Sequence, residues 1–387
     1  MPTKCPRCFS TLDDNAYAWT VAPDAAGARY YRDPIGSTYA GTESHCGPIH
    51  VVNRPPGHSG PLQSAADAGH ALNSAVVEIC PVCHYLLPDG WRQGHAICIA
   101  MAGARATGKS LYVAVLVKQL ELVCEYLGVS MEPATPTTAA AYVNHYEKPL
   151  FAQRGLIPPT PAAHIQASYQ RDPLIFSLGP WHGVRRYLVL RDVAGEDLEG
   201  SDVHAAHFRF FAHADAVFFM FDPLRVQVIR DQLYDLVPPQ SWSGADPRTV
   251  LSNLLLVIGQ GRPRLAVIMS KFDVLHALRN VEGSTWSQVM SNPGAAFMRD
   301  SSSAGRYDEA DGRLLHEEVR SLLLRLRGGS IVAAVENPSS GIRLEHRYFV
   351  VSALGQPPVG NQLNPRGIAP FRCVDPLRWV TSSQHVL

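Results

Sequence analysis

The sequence predicts an α/β chain, with a mainly parallel sheet flanked by helices and a small cysteine-knuckle module in front of it. Three observations predict it. Apolar stretches of strand length recur at residues 96–102, 186–191, 215–222, 265–269 and 348–351. Segments of helical period lie among them, as at 111–122 and 311–326. That alternation belongs to an open sheet with helices on both faces. Thirdly, two near-identical turns, Cys5-Pro6-Arg7-Cys8 and Cys80-Pro81-Val82-Cys83, precede the alternating part. The expected organisation is residues 1–94 as the knuckle module with a long inserted loop, and residues 95–387 as the α/β domain.

The first strand runs into Gly103-Ala104-Arg105-Ala106-Thr107-Gly108-Lys109-Ser110, a complete G-x-x-x-x-G-K-[ST], and a helical pattern opens at Leu111. In that context the run reads as a P-loop, and the domain as a P-loop NTPase. The glycines let consecutive amides face a phosphate and the helix N-terminus adds partial positive charge. Lys109 reaches the β- and γ-phosphates, and the Ser110 hydroxyl ligates Mg2+. Strand 186–191 ends in Asp192-Val193-Ala194-Gly195-Glu196, placing Asp192 where a water-mediated magnesium ligand belongs and Gly195 where its amide meets a γ-phosphate. Strand 265–269 leads into Ser270-Lys271-Phe272-Asp273, where the Asp273 carboxylate can accept from a guanine edge and the Lys271 stem can lie along the purine. The last strand ends in Ser352-Ala353-Leu354. Each motif alone is weak; together they stand in order at strand C-terminal ends, where open α/β sheets bind ligands.

This ordered set resembles the motifs of Ras-like, TRAFAC-class GTPases over roughly residues 80–380. More narrowly it resembles the bacterial double-GTPase families of conflict systems, in which a cysteine-rich ribbon precedes the P-loop; Gly367 to Arg372 and Asp375 to Trp379 look like that family's ending. The resemblance implies GTP and GDP as ligands, Mg2+ as cofactor, a protein effector or regulator as partner, and a switch in a bacterial conflict or defence system. It implies catalytic roles for Lys109, Glu196 and a switch I threonine. Thr160 fits the threonine, with Thr135, Thr137 and Thr138 as competitors beside the reading of a loop residue without a role. Two departures matter. Ser270 replaces Asn or Thr, which weakens guanine preference. Glu196 stands where a water-orienting Gln is usual, and its charge close to a γ-phosphate predicts slow hydrolysis. Two readings stand beside the GTP switch: an ATPase or broad NTPase, and a zinc-ribbon interaction scaffold with a structural nucleotide.

Two Cys-x-x-Cys turns bring four thiolates into a tetrahedron, so Cys5, Cys8, Cys80 and Cys83 predict a structural Zn2+ site. Their separation exceeds the usual ribbon spacing, so residues 10–77 are expected as an inserted loop rich in Gly, Pro, Ser and His. Cys46 reads as a spare ligand or a loop thiol, and Cys98, Cys124 and Cys373 as small core residues. Lys+Arg and Asp+Glu are equal at 34 each, so no overall field favours nucleic acid or an anionic membrane. No signal peptide opens the chain and no apolar run approaches the ~20 residues of a membrane span. Cytoplasmic residence is the resulting expectation.

Overall fold

The computed structural model describes residues 3–54, 64–158, 172–199, 206–233, 245–280, 286–300, 307–360 and 362–382. Five strands lie between the knuckles: β1 (Ala16–Val21), β2 (Tyr31–Arg32), β3 (His45–Cys46), β4 (Ile49–Asn53) and β5 (Val76–Ile79). Seven follow: β6 (His95–Ala102), β7 (Glu132–Pro133), β8 (Leu174–Trp181), β9 (Val184–Arg191), β10 (Ala216–Phe221), β11 (Arg264–Met269) and β12 (His346–Val350).

The last seven form one sheet of order β12-β11-β10-β6-β9-β8-β7. The five strands from β12 to β9 are parallel, while β8 and β7 close one edge antiparallel. Every residue of β10 is buried, as is β6 after His95, because strands covered on both faces tolerate continuous apolar runs. The β8–β9 connection is the two-residue turn His182-Gly183, with φ of 52° and 78°. Positive φ at both positions matches the twist of a hairpin. The helix Lys109–Tyr126 leaves the loop after β6, and its residues from Tyr112 to Val117 are all buried, so it is enclosed rather than amphipathic there. The helix Glu309–Arg325 starts at Asp308, whose carboxylate accepts from the Ala310 and Asp311 amides, and carries Arg325 in its last turn.

The mixed α/β architecture with a mostly parallel sheet is as expected. The insert is a correction. Residues 10–77 are not a bare loop: β1 lies between β4 and β5 in an antiparallel sheet, and the helix Ala65–Leu72 packs on it. That helix opens with a capping box between Ser64 and Asp67. Its strands are short and their inward positions include small residues such as Ala18, which hid the period-2 signal. Residues 55–63, the Pro-Gly-rich centre of the expected loop, lie outside the described residues.

The knuckles belong to a different core from the insert they flank. Cys5, Cys8, Phe9, Cys80 and Cys83 join one contiguous apolar cluster that runs on to Val380. Ala18, Trp19, Val21, Ala40, Ala68 and Ile79 are buried but lie outside that cluster. The insert therefore has a small core of its own, joined to the main body at both knuckles and through the helix Pro34–Ala40, whose Tyr39 packs on the main cluster.

Candidate functional site

The knuckles converge through two copies of one turn. In the first, Phe9 N donates to Cys5 O at 3.0 Å, Arg7 N to Cys5 Sγ at 3.4 Å, and Phe9 takes φ 57°. In the second, His84 N donates to Cys80 O at 2.9 Å, Val82 N to Cys80 Sγ at 3.4 Å, and His84 takes φ 56°. The four Sγ atoms lie within 4.8 Å of one another. Cys5 and Cys83 are 3.5 Å apart and Cys8 and Cys80 3.7 Å apart. Metal–sulfur bonds of about 2.3 Å in a tetrahedron set sulfur–sulfur edges of about 3.8 Å. A disulfide needs about 2.05 Å, and these cysteines are free. Burial pushes the Cys5 and Cys83 thiols up, while donation from the neighbouring thiols holds Cys8 far down. Buried thiols in mutual contact cannot all ionise unless a cation sits among them, so the donor set fits a dication such as zinc. Cys46 is no part of the tetrad; its Sγ lies 3.2 Å from Thr20 Oγ1. Cys98, Cys124 and Cys373 are buried in the core.

The second constellation stands at the C-terminal ends of β6, β9, β11 and β12. Gly103 takes φ 143°, and a Cβ there would fall 2.1 Å from Met220 O, so only glycine fits. Ala104 is buried, Arg105 and Ala106 are exposed, and Gly108 and Leu111 are half-buried. Thr107 Oγ1 donates to Ala104 O at 2.9 Å. Lys109 is buried, and its Nζ donates to Gly103 O at 2.7 Å and Ala104 O at 3.1 Å. Burial lowers its pKa, against the pull of Asp192 and Glu199. The Arg105 amide donates to Glu199 Oε1 at 2.8 Å. Ser110 Oγ donates to Asp192 Oδ2 at 2.9 Å, while the buried Asp192 Oδ1 meets no donor. Burial raises the Asp192 pKa, which Lys109, the Ser110 hydroxyl and the Val193 amide partly offset.

Gly195 is needed for close approach: a Cβ there would lie 2.1 Å from Arg105 N. At the neighbouring strand ends, Lys271 Nζ pairs with Asp222 Oδ2 at 2.7 Å, and Ser352 Oγ donates to Asp273 Oδ1 at 2.5 Å. Ala353 and Leu354 are half-buried. Ser270 Oγ donates to Phe221 O at 2.9 Å. Of the threonine competitors, Thr135 caps the helix Pro136–Tyr142 and the buried Thr138 accepts from Ile175 N at 3.1 Å. Thr137 is exposed, within 2.9 Å of Thr135 Oγ1. Thr160 and the side chain of Glu196 lie outside the described residues.

Known proteins place the chain. A relative from Mycolicibacterium smegmatis, described as a "Putative ESX-1 scaffolding and assembly protein SaeC", is 66% identical over 385 residues, covering 100% of both chains. The chain belongs to the SaeC family. The family model for the N-terminal domain of the ESX-1 scaffolding and assembly protein SaeC matches residues 15–78. Those are the residues of the insert, beginning just before β1 and ending two residues before Cys80 opens the second knuckle. Among solved structures, a bacterial selenocysteine-specific elongation factor aligns over 75% of this chain and 29% of its own. It does so at 13% identity and a TM-score of 0.27, a likeness that carries no argument.

Membership of the SaeC family corrects the resemblance to Ras-like and double-GTPase families. The GTP-switch function, the GTPase or hydrolase activity and the conflict-system role fall with it, because the full-length relative is named for scaffolding and assembly. The physical reason for the misreading is visible. The motifs are short and local, and polar residues at the ends of parallel strands are common. The groups assigned to a nucleotide are engaged with one another here: Lys109 with its own loop, Ser110 with Asp192, Lys271 with Asp222 and Asp273 with Ser352. Mg2+ and GTP find no support, whereas the cysteine tetrad does fit a metal. No helix among the described residues is long and apolar enough to cross a membrane.

The sequence reading missed Arg191, Asp222 and Glu199. Arg191 had a signal: it is the charge that closes an otherwise apolar run, Tyr187 to Leu190. Asp222 and Glu199 had none, since each acts through a partner distant in sequence.

Proposed function

We propose that this chain is a scaffolding and assembly protein of an ESX-1 secretion system, working through protein partners in the reducing, cytoplasmic setting where its thiols stay available. The observation that carries this reading is the 66% identity over the whole of both chains to a relative so named. The fold supports it. A tetrad of four protein ligands leaves no open position for a reacting water, so a zinc held by Cys5, Cys8, Cys80 and Cys83 staples structure. What it staples is the family's N-terminal domain, joined to the main body at both knuckles. That domain exposes Tyr30, Tyr31 and Ile35, aromatic and aliphatic groups suited to a partner protein.

The residues at the strand ends enter the same reading as a ligand seat rather than a catalytic centre. Residues 103–111, Asp192, Gly195, Lys271, Asp273 and residues 352–354 would seat an anionic ligand that fixes the scaffold's shape. The glycine turn at Gly103 and Gly108 and the N-terminus of the helix Lys109–Tyr126 behind it support this, because amides and the helix dipole there favour a negative charge.

The test replaces the M. smegmatis relative's gene with this one and follows ESX-1 secretion. Restored secretion, with partner proteins captured by cross-linking and reduced by Tyr31→Ala/Ile35→Ala, is expected. A folded, expressed protein that restores nothing removes the reading.

A further inference from the structure

One side chain joins the cysteine tetrad to the Asp192 corner. Arg191 ends β9 and is only 6% exposed. Its Nη1 donates to the carbonyl of Arg7, inside the first knuckle, at 2.5 Å. The same Arg7 residue donates its amide to Cys5 Sγ at 3.4 Å, so the peptide unit beside a ligand is held from the sheet. The guanidinium lies 3.8 Å from the centre of the Phe210 ring, and Phe210 meets Phe9, next to Cys8, edge-on at 5.4 Å. No described carboxylate forms an ion pair with Arg191.

A guanidinium at that depth is costly without a counter-charge. Burial pushes the Arg191 pKa down to about 10, and Arg7 adds to this, while Cys83, Cys8 and Cys5 pull it up. A dication bound by four thiolates carries two net negative charges, which supplies what Arg191 lacks. The residue after Arg191 is Asp192, with its Oδ2 on Ser110 and its Oδ1 unmet. The end of β9 is thus held from one side by the knuckle and from the other by the loop helix.

We propose that Arg191 is the counter-cation of the metal tetrad and the positioning residue through which occupancy of that tetrad sets the geometry of Asp192. The proposal rests on the metal reading above. It predicts that the tetrad and the strand-end constellation form one unit. Losing the metal leaves Arg191 buried without compensation, so the end of β9 loosens.

The experiment uses the full chain, purified without added zinc, as wild type, Arg191→Met, Arg191→Lys and the exposed control Arg185→Met. Metal content is measured directly, retention by competition with a chromogenic chelator, and hydrogen exchange at residues 192–195 before and after metal removal. Arg191→Met should weaken retention by roughly 10–100-fold, the scale of losing an outer-shell partner. Arg191→Lys should fall between, and Arg185→Met should match wild type. Exchange at 192–195 should rise on metal removal in wild type and already be raised in metal-loaded Arg191→Met. Equal retention and equal exchange in wild type and Arg191→Met would overturn the proposal. If Arg191→Met does not fold, wild type decides: metal removal that frees the knuckles while leaving 192–195 unchanged overturns it. Wild type without any metal removes the metal reading itself, and this inference with it.

Discussion

Ser110 donates its hydroxyl to Asp192 Oδ2 at 2.9 Å, tying the first turn of the helix Lys109–Tyr126 to the end of β9. This brace spans 82 positions of sequence. Both residues belong to motifs that carry the resemblance to GTPases. In the folded chain the brace joins a helix to a strand of the main sheet, a structural role independent of any ligand.

Ser110→Ala should therefore destabilise the protein even with nothing bound. The substitution takes the side-chain donor from a buried carboxylate whose other oxygen already lacks one. Leaving a buried polar group unsatisfied costs about 1–3 kcal/mol. Urea unfolding should show a lower midpoint with an unchanged slope. A midpoint equal to wild type would show that water or relaxation replaces the bond.

Cys5→Ser/Cys8→Ser should release the metal and loosen the N-terminal domain together. Purified protein should carry about one zinc equivalent and the double variant almost none, because two ligands cannot hold a closed tetrahedral site. Binding energy is folding energy in such sites, so protease cleavage should move to residues 9–79 in the variant. Zinc kept at wild-type content in the variant would exclude this ligand set.

Arg372→Met should be the most damaging single substitution outside the tetrad. Arg372 is 1% exposed, and its guanidinium reaches Asp311 Oδ2 at 2.9 Å, Arg299 O and Ala296 O at 2.7 Å each, and Asp375. It fastens the C-terminal segment to the helix Glu309–Arg325. Removing it takes the paired cation from the buried Asp375, while Asp311 keeps Arg299 Nη2 at 2.8 Å, and breaking a buried pair in this way costs about 3–5 kcal/mol. Thermal unfolding of Arg372→Met and of Arg372→Lys would measure it. Lysine should recover only part, since it lacks the planar fork that serves several acceptors at once.

The sequence made the main sheet legible because its strands are long, apolar and bounded by polar residues: β6, β9, β10, β11 and β12 all fall within a few residues of their expected positions. The tetrad was legible because Cys-Pro-x-Cys fixes a turn whatever lies between its copies. The insert was not, since β4 and β5 are short and partly exposed and its core uses alanines that carry little pattern. Function was misread where local motif order stood in for family. Lys109, Asp192 and Asp273 follow the C-terminal ends of β6, β9 and β11, but placement at strand ends is a property of the fold and not of one activity. Arg191 and Arg372 show the remaining limit. Both are arginines in apolar company whose partners lie far along the chain, so their roles emerge only from packing.

His316 supplies a pH dependence that can be separated from all other histidines. Its Nδ1 accepts from the Tyr348 amide on β12 at 3.1 Å, which requires the neutral ring, and the ring stacks on Tyr348 at 5.3 Å. Burial lowers the His316 pKa first, and His346 and Arg347 push the same way, while Glu317 and Glu336 oppose them. A histidine whose folded pKa is lowered binds fewer protons folded than unfolded. Its contribution is therefore complete above the unfolded value of about 6.5 and is lost as pH falls through the lower folded value. His316→Gln keeps an acceptor for the Tyr348 amide and cannot titrate. Wild type should lose more stability than His316→Gln between pH 7.5 and pH 5, measured as the shift in urea midpoint. His145 and His276, also lowered by burial, titrate alike in both proteins and cancel in the difference. Parallel pH profiles for the two proteins would mean that the Tyr348 amide does not depend on a neutral ring at position 316.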